Sequence, residues 1–457
     1  MDLQSKATRI RLFDFSTPQM RAFHMSWFAF FLCFFAWFGI APLMGAVEEE
    51  MGLNSDQIGW CIIGSVAITV LARLLVGWLC DRIGPRICYS VLLVFGSIPV
   101  MGIGLAQNFE TFLLFRVLIG AIGASFVITQ YHTSQMFAPN CVGTANATTA
   151  GWGNMGGGAT QFAMPLLFGL LIGVFGFSDY MGWRVAMMLA GAVCALTGVA
   201  YYFLTQDTPE GNFADLRAQG KMPASKKSSG SFMDACKDYR VWVLFIIYGG
   251  CFGLELTMNN VAARYFAKNF DYLKDMDPLK AMWIAGLFAS AYGLTNVFAR
   301  TIGGGVGDKF GEKWGLSGRV KWLFLVLFCE GLALMLFSQM TVLILAVPAM
   351  IVFGIFVQMA SGATYSVVPF VNKKSLGSVA GIVGAGGNAC AVAAGFLFKT
   401  GVEEWATSLF ILGALVTACS FLSFAVTFSS EAEYEAEDAT QKALATRELE
   451  LELASAA

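Results

Sequence analysis

Charge is what this sequence has least of. Asp, Glu, Lys and Arg make up 13% of its 457 residues, and 57% are hydrophobic; a soluble domain carries about 25% charged residues. So little charge cannot cover the surface of a soluble protein of this size, and the mean hydropathy of +0.65 agrees. The net charge of −2 leaves no basic surface for nucleic acid. Two histidines exclude a His-rich metal site. The eleven cysteines have no metal-type spacing. Most, including Cys33, Cys61, Cys194, Cys329 and Cys419, sit inside apolar runs and read as small apolar residues rather than a disulfide framework. Short alternating segments are also missing, which disfavours a membrane β-barrel. A soluble enzyme, a DNA-binding protein and a disordered chain are all ruled out.

Long apolar runs are present instead. At about 20 residues per crossing, the composition predicts an all-α integral membrane protein with twelve spans. They are placed near 22–46, 58–79, 88–106, 110–131, 144–175, 183–204, 240–266, 281–305, 320–338, 340–365, 376–399 and 404–428. The first run is too long for a signal peptide and reads as a retained span. The polar stretch 205–239, with Lys221, Lys226 and Lys227, reads as a surface linker between two six-helix bundles, 22–204 and 240–428. Residues 1–21 and the acidic tail 429–457 flank them, the tail reading as a solvated helix. Most Lys and Arg fall on the side of the N-terminus; the opposite side holds Arg184, Arg264, Lys268, Lys274, Lys280 and Lys399. By the positive-inside rule both termini are expected in the cytoplasm.

The chain repeats itself. ARLLVGWLCDRIGPR (72–86) and ARTIGGGVGDKFGEK (299–313) share A-R-x3-G-x3-D-R/K-x-G-x-R/K. AGWGNMGGGA (150–159) and AGIVGAGGNA (380–389) match at nearly the same separation. Two matches at one spacing indicate duplication, and six spans per half make the repeats parallel. The loop motif after spans two and eight matches the signature of the major facilitator superfamily. That resemblance implies a charge latch that breaks and reforms as the halves rock, with Asp81, Arg82, Arg86, Asp308 and Lys309 as gate residues.

Three residue types inside the spans carry the functional reading. Glycines cost about 0.5–1 kcal/mol each against Ala in a helix. Close helix packing explains most of Gly151, Gly153, Gly156, Gly157, Gly381, Gly384, Gly386 and Gly387; substrate contact with the backbone is the alternative. Asn154 and Asn388 place amides at matching depths where lipid offers no partner. Arg73 and Arg300 carry most of the weight, because a mid-span arginine costs about 2.5–3.5 kcal/mol and usually lines a pathway. Spans two and eight hold no carboxylate at their level, Asp81 and Asp308 lying further along. Two guanidiniums related by pseudo-symmetry are therefore expected to face a midplane cavity and hold an oxyanion in their planar forks.

The doubled glycine motif, the two arginines and the N-terminal FSTPQMRAFHMSWFAFF closely resemble the nitrate/nitrite porter family, chiefly its high-affinity branch, over about residues 12–428. The resemblance implies an Arg73–Arg300 clamp on nitrate, with nitrite as second substrate, and aromatic walls at Phe126, Tyr248 and Phe252. Ordinary apolar packing is the other reading of those three rings. Two departures stand out: His132 follows Gln130-Tyr131 where the branch has an aromatic, and the linker is short. An accessory single-span partner is possible but not implied. No cofactor and no nucleic-acid partner is expected; the partners are the anion, protons and membrane lipid.

A negative interior opposes anion entry by about 2.3 kcal/mol per charge per 100 mV, so concentrative uptake needs a coupled cation. Glu255 in GLELTMNN is the leading proton carrier, its alternative role being counter-ion to Arg116 or Arg300. Arg116, in R-x3-G-x2-G, and His132 are further coupling candidates; Glu330 is expected to face a neighbouring peripheral helix. The sequence thus predicts a proton–nitrate symporter of the cell membrane. Nitrate/nitrite exchange and a nitrate sensor without flux remain alternatives, and no nucleophile–base pair suggests an enzyme.

Overall fold

The computed structural model describes residues 6–137, 142–221, 229–372, 376–399 and 401–438. The lysines Lys226 and Lys227 and the tail beyond 438 lie outside the described residues. Twelve helices are long and apolar enough to cross a membrane: α1 (Pro18–Met51), α2 (Ser55–Cys80), α3 (Pro85–Leu105), α4 (Phe109–Met136), α5 (Thr144–Gly173), α6 (Asp179–Leu204), α7 (Tyr239–Asn269), α8 (Pro278–Gly311), α9 (Lys313–Ser338), α10 (Leu343–Val367), α11 (Ser378–Phe398) and α12 (Trp405–Ala425). Among the described residues, pairing of the β type is confined to two isolated bridges.

The starts follow local chemistry. Thr17 accepts from the Met20 N–H, and Pro18 presets the first turn of α1. Asn54 with Gln57, and Asn108 with Thr111, close reciprocal caps on α2 and α4. Large apolar residues cover the outside: Leu71, Phe95, Leu196 and Ile344 are 64% to 78% exposed, as lipid-facing residues can be.

Three expectations need correction. The first span begins earlier and runs further than 22–46, through a 3-10 turn at Ala41–Leu43 to Met51. The expected loop between spans eight and nine is only a break at Trp314 and Gly315 in otherwise helical chain, Gly315 taking the φ of 66° that the turn requires. The stretch after α6 is no plain linker. It holds short helices at Phe213–Ala218 and Ser229–Lys237, and buried Asp207 accepts the N–H groups of Arg86 and Phe213 at 2.9 Å each.

The halves meet where α2 packs on α11 and α5 on α8. Glycine makes the second contact possible, since a Cβ on Gly158 would lie 2.6 Å from the backbone of Gly293.

Candidate functional site

Arg73 on α2 is fully buried and Arg300 on α8 is 2% exposed. Both guanidiniums lie over the same two rings, Phe126 from α4 and Phe252 from α7. The Arg73 carbon is 5.2 and 5.0 Å from those ring centres, and the Arg300 carbon 5.9 and 5.8 Å. The two rings stand 6.1 Å apart at 28°. Tyr248 stacks on Phe252 at 5.1 Å, and Tyr365 from α10 packs edge-on to Phe126 and Tyr248. The rings of Phe126, Tyr248 and Phe252 thus border the arginines, and Tyr365 joins them.

The arginines differ in their partners. Arg73 reaches across to the other half, donating from Nη1 to the Gly384 carbonyl at 2.6 Å. With its amide turned to satisfy its neighbours, Asn388 accepts from Arg73 Nη1 at 3.0 Å and from Nε at 3.2 Å. Gly123 O lies at 3.4 Å. All these partners are neutral. Arg300 donates from Nη2 to the Tyr248 hydroxyl at 2.9 Å, and its Nη1 stands 3.7 Å from Glu255 Oε2. The expectation of two guanidiniums without a carboxylate therefore holds for Arg73 and fails for Arg300. Its acid comes from α7, a helix that neither repeat motif includes. Glu255 is the counter-ion of Arg300, not of Arg116, and its Oε1 accepts from Asn296 Nδ2 at 2.9 Å.

Arg300 Nη1 and Glu255 Oε2 of this pair, and Asn296 Oδ1 next to it, are buried without a hydrogen bond, and so are both amide atoms of Asn154 on α5. Buried polar groups are nearly always hydrogen-bonded, so these atoms keep unused hydrogen-bonding capacity. The signature glycines divide by role. Gly153, Gly156 and Gly386 admit neighbouring helices, while Gly151 and Gly157 admit the Asn296 carbonyl and the Asn259 amide. Gly384 and Gly387 touch the site itself, against Arg73 and Phe252. Gly381 faces open space.

The remaining candidates sit elsewhere. Arg116 is buried and donates to Trp37 O at 3.2 Å and to Asn260 Oδ1 at 2.9 Å, joining α4 to α7. His132 is fixed between the Tyr201 hydroxyl (2.6 Å) and Gln206 O (2.8 Å), inside the N-terminal half; it is not brought to the arginines. Of the five expected gate residues, three are engaged within their own halves. Arg82 stacks on Trp78 and Arg86 on Tyr202, Asp308 pairs with Arg319, Lys309 is exposed, and the Asp81 side chain lies outside the described ones. At the opposite end two ion pairs join the halves, Glu48–Arg264 and Asp56–Lys399. Sequence reasoning passed over Asn296, Asn260 and Tyr365. The one available signal was polar residues inside apolar runs. No group of three or more His, Cys, Asp or Glu among the described residues is placed to hold a metal ion.

Comparison with known proteins gives the family and the fold. The Major Facilitator Superfamily model matches residues 26–395. The chain is 37% identical to High affinity nitrate transporter 2.5 of Arabidopsis thaliana, over 92% of this chain and 82% of that protein. It is 36% identical to High-affinity nitrate transporter 2.3 of Oryza sativa subsp. japonica, over 92% and 80%. Identity to the nitrate/nitrite transporter NrtP of Nostoc punctiforme is 29%, over 90% and 93%. The fold matches the crystal structure of a bacterial homologue of the human lysosomal transporter Spinster with a TM-score of 0.63 at 15% identity, covering 94% of this chain and 98% of that one. The nucleoside transporter NupG matches with the same TM-score and identity, covering 88% and 99%. This multi-pass membrane chain belongs to the nitrate/nitrite transporter family of the Major Facilitator Superfamily.

Proposed function

We propose that the protein imports nitrate, with nitrite as a second substrate, by proton symport through alternating access. One observation carries the reading: two buried guanidiniums share one aromatic pair, and the only carboxylate at salt-bridge distance from them among the described residues belongs to Arg300 alone. Nitrate is planar and spreads one negative charge over three oxygens. The forks of Arg73 and Arg300 offer it donors in fixed planes, Phe126 and Phe252 wall it, and the unmet amide of Asn154 supplies orientation.

Charge balance couples the proton. With Glu255 ionised, the buried set of two arginines and one carboxylate holds one net positive charge. Protonating Glu255 releases Arg300, and nitrate takes the carboxylate's place, leaving the same net charge. A proton alone would raise the set to two net positive charges, uncompensated in a low-dielectric interior, and nitrate alone would have to share Arg300 with the ionised, repelling carboxylate of Glu255. The anion and the proton therefore enter together. With the N-terminus cytoplasmic, the end closed by Glu48–Arg264 and Asp56–Lys399 is the outer one.

The test is uptake of labelled nitrate into proteoliposomes. Accumulation driven by an inward proton gradient, with no internal anion, is expected. Glu255→Gln should retain exchange of internal for external nitrate and lose that accumulation. Uptake that requires internal nitrite and ignores the gradient would make the protein an exchanger.

A further inference from the structure

The fold buries a second carboxyl that the arginine site does not use. Glu330 on α9 is fully shielded from solvent, and neither of its carboxyl oxygens has a hydrogen-bond partner. The sequence suggested a residue facing a neighbouring peripheral helix. Instead, Glu330 lies within electrostatic reach of Glu255 and Cys251 on α7 and of Tyr292 on α8. The helices packed along α9 add no charge: α10 and α12 contain no Asp, Glu, Lys or Arg, and the titratable residues they carry are Tyr365 and Cys419. Arg300 is turned to Tyr248 and Glu255.

The same region collects polar atoms without partners, namely the Tyr292 hydroxyl, Asn296 Oδ1, both amide atoms of Gln358 and the Ser361 hydroxyl. Gln358 faces Glu255 and Ser361 faces Cys251, neither closing a hydrogen bond of normal geometry. An ionised carboxylate with no donor and no cation is far costlier to bury than a neutral acid. A neutral acid keeps one O–H to donate, and this cluster is rich in acceptors. Two carboxyls within reach of one another also titrate as a pair rather than singly.

We propose that Glu330 stands as the neutral acid and donates its hydrogen bond, through a bridging water, into the polar cluster that ends on Glu255, so that it sets the pH at which Glu255 exchanges its proton. Glu330 is thus a positioning residue. It does not touch the anion, and it favours the ionised state of Glu255 that pairs with Arg300. The inference rests on the proton-coupled reading given above.

Two measurements on the reconstituted protein test it. Infrared spectra of the wild type near neutral pH should contain a protonated-carboxyl stretch that Glu330→Gln removes. Nitrate KM against external pH should keep its wild-type profile in Glu330→Gln, whose amide still donates. In Glu330→Leu the midpoint should move to higher pH by about one to two pH units, the size of a lost hydrogen bond to a charged group, with nitrate/nitrate exchange retained. An unmoved Leu midpoint overturns the proposal, and so does a shift to lower pH, which would mean a charged Glu330. Loss of every transport mode in both variants overturns it as well, by making the residue structural. Nitrate flux without protons in the wild type removes the symport reading and the tuning role with it; the infrared band still decides the protonation of Glu330 in that case.

Discussion

Replacing Arg73 with lysine keeps the charge and removes the fork. In the wild type, Nη1 reaches the Gly384 carbonyl at 2.6 Å while the guanidinium plane lies over Phe126 and Phe252. A lysine ammonium in that space can keep one of these contacts. A hydrogen bond to a charged group contributes about 1.5–3 kcal/mol, and a desolvated cation–π contact about 2 kcal/mol or more. Part of the second loss falls on the unliganded protein and cancels from binding. The remaining loss of nitrate affinity is about 2–4 kcal/mol, roughly thirtyfold to a thousandfold in Kd. Equilibrium binding of labelled nitrate to detergent-purified Arg73→Lys measures it, with thermal unfolding of the unliganded protein as the control. A Kd within about threefold of wild type would refute the clamp, because one lost charged hydrogen bond already exceeds that change. Unaltered affinity combined with a large drop in melting temperature would assign Arg73 to helix packing.

Three further outcomes are expected. Asn154→Ala should weaken nitrate binding about tenfold without lowering the melting temperature, since both amide atoms are unpaired in the unliganded protein and only a ligand would engage them; a stability loss at constant affinity would count against the orienting role. Removing the two ion pairs that join the halves among the described residues, with Arg264→Ala and Lys399→Ala, should shift the population towards opening at that end by about 1 kcal/mol, roughly fivefold, read as faster labelling of a cysteine placed at Ser65 in a background without other cysteines. Burial raises the carboxyl of Asp207 above its ordinary range, against the N–H groups of Phe213 and Arg86 that oppose the shift. The folded chain therefore holds that proton more tightly than the unfolded one. The stability advantage of wild type over Asp207→Asn should be greatest below the ordinary carboxylate value and decline as pH rises through the raised one, and a difference in melting temperature that grows with pH would contradict it.

The helix count and the arginine pair were legible because each rests on a local signal. A run of about 20 apolar residues is visible in any window, and the A-R-x3-G-x3-D repeat marks positions 73 and 300 without knowledge of contacts. Boundaries were less legible. Ser-Thr-Pro ahead of α1 announces its cap, but the polar Glu48, Glu49 and Glu50 concealed that the helix continues to Met51. Gly-Glu-Lys-Trp-Gly reads as a loop, and only the backbone shows that two residues suffice to break the helix. Ion-pair partners were the least legible. A search for a carboxylate on spans two and eight finds none, and although the sequence offers Glu255 as counter-ion to Arg116 or Arg300, only the packing of α7 against α8 decides for Arg300. Arg116 was singled out by its motif, yet its partner Asn260 follows from how α4 meets α7.

Duplication supplied two equivalent arginines, and their surroundings have since made them unequal. Arg73 binds neutral groups, and its strongest contact crosses to α11 in the opposite half. That contact must change whenever the halves rock, so the residue proposed to hold the anion would also register which way the carrier faces. Arg300 keeps its hydrogen bond and its ion pair within its own half, to Tyr248 and Glu255, so that pairing can stay assembled through the motion even though its face on Phe126 crosses between the halves. In the proposed symport its state would be set by a proton instead. A carrier built this way would separate its two requirements. Facing would be read by the N-terminal arginine and proton loading by the C-terminal one, and only the anion between them would report each to the other. A fully symmetric pair could bind nitrate equally well, yet it would offer no reason for a proton to travel with it.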